Sequence, residues 1–156
     1  TGAAAPNLVV SKNPLTSTIA LINALREDNR LWTGGLITSW FWLVGAVALS
    51  LLPVMLKDGM NGTQGVITLG LLVFTVGIAV GSMLAAKASK MRPNMALVPI
   101  GAFLMAMACL ELAWTASGLV RSAEPLQVEA FLASLTGLRL ATGLFVLSLA
   151  GGLFIV

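Results

Sequence analysis

The chain has 156 residues, of which 58% are hydrophobic and only 10% charged, with a formal net charge of +3 and a mean hydropathy of +0.96. A soluble domain carries about 25% charged residues, so this composition describes an integral membrane protein. Histidine is absent and Cys109 is the only cysteine, which excludes an intramolecular disulfide, a Ser-His-Asp triad, a histidine metal site and a histidine proton shuttle.

The carboxylates Glu27, Asp28, Asp58, Glu111, Glu124 and Glu129 show no metal-ligand spacing. Neither an enzyme nor a metal or organic cofactor is expected.

Residues 1–30 form a first segment. Thr1 to Asn7 lack the charged start and apolar core of a secretory signal. Asn13 followed by Pro14 predicts a helix start, with Asn as cap and Pro at the first helical position. Leu15, Ile19, Ile22 and Leu25 then recur at intervals of three and four among Asn23, Arg26, Glu27 and Asp28, so the helix is amphipathic. It is expected to lie on the cytoplasmic membrane surface and to lead into Trp32, an interfacial anchor type.

Residues 31–156 contain four apolar stretches, at 31–56, 63–86, 93–120 and 138–156. Each is close to the ~20 residues that cross a ~30 Å hydrocarbon layer as a helix. They are continuously apolar, whereas barrel strands alternate apolar and polar over roughly ten residues. The predicted fold class is therefore all-α, a polytopic membrane helical bundle preceded by an amphipathic surface helix.

In the first span, Trp40 and Trp42 sit well inside the span, away from the edge where interfacial tryptophans concentrate. Pro53 is expected to bend its end. Asp58-Gly59 and Asn61-Gly62 make a tight connection, so spans one and two are antiparallel neighbours. The second span carries Gly70, Gly77 and Gly81. Gly77-Ile-Ala-Val-Gly81 is a ridge of small residues suited to close helix approach, either inside one bundle or at a dimer face.

Pro99 is expected to bend the third span, which also holds Glu111 near its middle. A carboxylate there is costly unless protonated, paired or wetted. Two readings stand: a proton or cation relay or headgroup contact, and a hydrogen-bonded structural acid. Cys109 packs as a small apolar residue. In the long connection from Arg121 to Gly137, the residues Val128, Phe131, Leu132 and Leu135 fall on one face of a short surface helix.

Counted along the spans, Lys12, Arg26, Arg30, Lys87, Lys90 and Arg92 fall on one side and Lys57, Arg121 and Arg139 on the other. The positive-inside rule makes the first side cytoplasmic. Dispersed through the connections, these residues form no nucleic-acid patch. The sequence opens without methionine and stops at Val156 inside an apolar stretch, so both ends are expected to be cuts.

This order of elements resembles the start of the carboxyl-terminal half of a major facilitator superfamily transporter. Leu25-Arg-Glu-Asp-Asn-Arg-Leu-Trp32, followed by Gly34, Gly35, Ser39, Trp40, Phe41 and Trp42, is similar to the lysophospholipid transporter branch. Val76-Gly77-Ile-Ala-Val-Gly81-Ser-Met-Leu-Ala-Ala-Lys87 and Ala150-Gly-Gly-Leu-Phe-Ile-Val156 add to the likeness. The superfamily's loop signature survives only as Gly81, Lys87, Lys90 and Arg92, with Ala85 and Ala86 where an acid and an arginine would stand.

The resemblance implies spans seven to ten of twelve in a bacterial inner membrane. Its partners would be the bilayer, a lysolipid or similar amphipathic substrate, and the other half of the same transporter. Trp40, Trp42, Phe74 and Phe145 are the candidate substrate-groove residues, and Glu111 the ion-coupling candidate, on a helix that in such transporters usually lies outside the cavity. Two other readings are a free-standing four-helix membrane protein that assembles through Gly77 and Gly81, and a small proton-coupled drug exporter dimerising around Glu111.

The charge count makes a testable topology. With Cys109→Ala as background, single cysteines at positions 58 and 90 are expected to react with an impermeant reagent from opposite sides of the membrane. Equal access from one side overturns it.

Overall fold

The computed structural model describes residues 13–89 and 97–154. Expectations placed on Thr1 to Asn7, Lys12, Lys90, Arg92, the opening of the third span at Pro93 and the end of the fourth at Val156 lie outside the described residues. The elements are α1 (Pro14–Glu27), α2 (Asn29–Val54) with a π-helical turn at Met55–Gly59, α3 (Gln64–Ser89), α4 (Leu97–Ser117), α5 (Val128–Ala133) and α6 (Leu135–Phe154). Four helices, Asn29–Gly59, Gln64–Ser89, Leu97–Ser117 and Leu135–Phe154, are long and apolar enough to cross a membrane. The fold is all-α and polytopic.

Two compact units, Thr1–Val44 and Gly45–Val156, divide the chain inside α2. In the first, the Asn13 side chain accepts the Leu15 N–H at 3.0 Å and Pro14 occupies the start of α1. Leu15, Ile19 and Ile22 are exposed, and no residue of α1 is buried. Asp28 leaves helical geometry (φ −110°, ψ 110°), and its carboxylate accepts the Arg30 N–H at 2.8 Å, capping α2. The Arg26 guanidinium stands 4.9 Å from the Trp32 ring centroid, within cation–π reach.

In the second unit, Pro53 deprives α2 of one N–H donor, and the helix widens into a π turn two residues later. The first helix therefore runs to Gly59, beyond the expected end at 56, and Lys57 and Asp58 are helical. The link to α3 shrinks to Met60, Asn61, Gly62 and Thr63. Asn61 takes φ 59°, a left-handed conformation that asparagine tolerates.

This link is fastened to the connection after α4. Leu126 N–H donates to the Asn61 carbonyl at 2.9 Å, and Thr63 N–H to the Leu126 carbonyl at 3.0 Å. Asn61 Nδ2 donates to the Ser122 carbonyl at 3.1 Å, and Arg121 Nη1 to the Asp58 carbonyl at 3.1 Å. Both connections therefore lie at one end of the unit. From that end α3 and α6 run parallel, and α4 arrives antiparallel to them.

Helix α6 packs on both α3 and α4. A Cβ on Gly77 would stand 2.8 Å from the Phe145 carbonyl oxygen and run into Ser148; one on Gly81 would run into Leu149 backbone; one on Gly152 would come within 2.9 Å of the Gly81 Cα. Gly77 and Gly81 thus face α6 of the same chain, backbone against backbone. Gly70 instead receives Leu52 and Leu56 from the end of the first helix and its π turn. On the other flank, Gly101 lies under the Ala150 carbonyl and Gly143 under Leu112.

One expectation needs correction. The stripe of Val128, Phe131, Leu132 and Leu135 does not share one helix. Ser134 ends α5 after Ala133, and its hydroxyl accepts the Gly137 N–H at 3.0 Å to cap α6. Phe131 is buried while Leu132 and Leu135 are exposed.

The glycine contacts make a differential prediction. Gly81→Ala is expected to destabilise the protein by about 1–3 kcal/mol through overpacking. Gly45→Ala, where nothing lies within 4 Å, is expected to be neutral or to stabilise by up to about 1 kcal/mol. Unfolding in mixed detergent micelles measures both, and equal effects would contradict the close α3–α6 approach.

Candidate functional site

The expected groove residues fall in different places. Trp40 and Trp42 belong to the first unit and are 68% and 61% exposed; the Trp42 ring meets Phe41 edge-on at 5.7 Å between centroids. In the second unit, Phe74 is buried with Ala108 and Leu147. It belongs to a small buried cluster of this unit. Phe145 on α6 is half-buried, and its carbonyl lies against Gly77.

Glu111 has a partner that sequence inspection did not find. Its Oε1 accepts from Arg139 Nη2 at 2.6 Å and Nε at 2.9 Å, and from the Thr115 hydroxyl at 3.3 Å. Thr115, one turn along α4, is buried and fixes the carboxylate rotamer from below. Arg139 comes from α6, held beside α4 by the Leu112–Gly143 contact one turn away.

Depth follows from position along the helices. Glu111 lies six residues before the last residue of α4, Ser117, about 9 Å from that end at ~1.5 Å per residue. Arg139 lies four residues after the first residue of α6, Leu135, about 6 Å in. Glu111 therefore lies in the second half of its helix, closer to the middle than to the end, and Arg139, counted above with the connections, belongs to α6.

The pair sits on open surface, its side chains 43% (Arg139) and 45% (Glu111) exposed. It edges a groove of about 410 Å³ between α4 and α6, whose walls include Met107, Leu138, Thr142 and Val146. A single oxygen takes all three donors. Glu111 Oε2 and Arg139 Nη1 have no partner among the described residues. The site can thus offer one acceptor and one donor of opposite charge beside an apolar trough.

Among the described residues no group of His, Cys, Asp and Glu could hold a metal ion, and Cys109 is a free thiol, half-buried on α4. One signal in the sequence could have revealed the pair. Glu111 and Arg139 lie at similar depths from the ends that the 118–134 connection joins, on helices that must be antiparallel.

Comparison with protein-family models, with curated proteins and with solved structures finds no match.

Removing one partner of such a pair strands the other charge, whereas removing both strands none. Arg139→Leu and Glu111→Leu are each expected to lower the thermal midpoint in detergent micelles more than the double variant E111L/R139L does. A double variant whose loss equals the sum of the two single losses would show that the charges do not interact.

Proposed function

We propose that these helices are part of a secondary membrane transporter that moves a lysophospholipid, or a similar amphipathic molecule, across a bacterial inner membrane by alternating access. Residues 1–30 would lie on the cytoplasmic side, and the remaining half of the transporter would be the partner. The observation that carries this reading is the Glu111–Arg139 pair on open surface within helices otherwise apolar enough to span a bilayer. Intramembrane charges are costly and concentrate where a protein handles polar cargo or ions. A purely structural bundle could fill the same positions with apolar side chains at lower cost.

Two further features support it. The sequence resemblance points to the same class. The rigid α3–α6–α4 body, packed through glycines on both flanks of α6, is the kind of unit that rocks as a whole in alternating access. Because Gly77 and Gly81 are already covered by α6, their ridge gives no support to assembly between copies as the main role.

Vesicles carrying the natural full-length protein are expected to take up headgroup-labelled lysophospholipid well above the rate of empty vesicles. An imposed proton or sodium gradient should drive uptake beyond equilibrium. Uptake at the empty-vesicle rate under both gradients overturns the reading.

A further inference from the structure

The groove between α4 and α6 is lined in part by the Glu111–Arg139 pair on which the transport reading rests, and the pair leaves two polar atoms over. The groove is lined by the apolar Met107, Leu138 and Val146 together with Glu111, Arg139 and Thr142. Both helices are long and apolar enough to span a membrane, so what meets an open face of these helices is lipid. In that setting the free Glu111 Oε2 and Arg139 Nη1 are two charged atoms with unspent hydrogen-bonding capacity, and leaving such groups unmade in an apolar medium is costly.

We propose that this groove is a binding site for a zwitterionic phospholipid of the surrounding bilayer, one whose headgroup carries both a phosphate and a primary ammonium. The ammonium donates to Glu111 Oε2, and a phosphate oxygen accepts from Arg139 Nη1. One acyl chain runs along Met107 and Val146 toward the bilayer centre. The observed ion pair need not break, because each partner uses the atom that the pair leaves over.

Charge complementarity selects this occupant over others. The pair is neutral as a whole, so an anionic headgroup meets the Glu111 carboxylate beside the arginine and is disfavoured by like charge. A headgroup with a quaternary ammonium brings positive charge but no N–H to donate. Depth agrees as well. The pair lies about 6–9 Å inside the helix ends, and an arginine side chain near a helix end reaches toward the headgroup layer.

The site lies between helices of one unit and depends on the membrane-spanning character of α4 and α6 alone, so it stands or falls separately from transport. The test is competitive lipid retention. The wild-type protein is equilibrated in detergent with equal amounts of phosphatidylethanolamine and phosphatidylglycerol, and the lipids that remain bound are counted by native mass spectrometry. Phosphatidylethanolamine is expected to be retained over phosphatidylglycerol by roughly tenfold, the worth of one charge-assisted hydrogen bond.

In Glu111→Gln, which leaves Arg139 as an uncompensated cation, the order is expected to reverse in favour of phosphatidylglycerol. A variant that had merely unfolded would lose both lipids and reverse nothing. A second readout needs no variant: phosphatidylethanolamine with a photoactivatable acyl chain is expected to label Met107 and the half-buried Val146 above the more open Leu72 and Val76 of α3. Equal retention of the two lipids by the wild type, an unchanged order in a folded E111Q protein, or uniform labelling of the two faces each overturns the proposal.

Discussion

In a bilayer, apolar surface gives one helix no reason to prefer another helix over lipid tails, so association must come from close packing and polar contacts. For this chain the close packing is the α3–α6 seam, where Gly81 meets the Leu149 backbone and Gly152, and Gly77 meets the Phe145 carbonyl and the small Ser148 side chain. Everything else in the second unit is arranged around that seam. The seam fixes α6, and α6 then offers its other flank, through Ala150 and Gly143, to α4. Within this unit, α4 and α6 are held together by van der Waals contact and by the ion pair.

That order of dependence explains where the charges sit. The Leu112–Gly143 contact brings α4 and α6 close enough for a carboxylate and a guanidinium on neighbouring turns to meet at 2.6 Å. At the same end, the hydrogen bonds between Asn61, Thr63 and Leu126 tie the α2–α3 link to the α4–α5 connection. The core of Leu52, Leu56, Val66, Phe131, Leu140 and Leu144 packs directly beneath them. One end of the unit is thus held by backbone hydrogen bonds, packed side chains and a salt bridge together.

The sequence makes some of this legible and not the rest, for physical reasons that differ from element to element. Asn13-Pro14 reads as a helix start because capping is local, and the side-chain acceptor and the fixed φ act within two residues. The four spans read easily, since bilayer thickness sets their length. Their ends do not, because after Pro53 the helix can fray, turn or widen, and it widens through Lys57 and Asp58. Gly77 and Gly81 announce a close contact without saying with which helix, and the answer, a parallel partner separated in sequence by all of α4 and α5, is tertiary. Glu111 announces an unmet charge in the same way. Arg139 is hidden twice: it is 28 residues away, and it stands so near the start of its span that it counts among the loop cations.

A neutral pair placed this way differs from a lone intramembrane acid in what it can do. A lone carboxylate in lipid is most easily accommodated by taking up a proton, which makes it a candidate relay. A carboxylate that already accepts three donors on one oxygen has a partner of opposite charge, and removing that partner would strand it. The pair presents both signs of charge at one place. The second carboxylate oxygen and Arg139 Nη1, on two residues that line a largely apolar groove, are the atoms left for a ligand that carries both signs of charge.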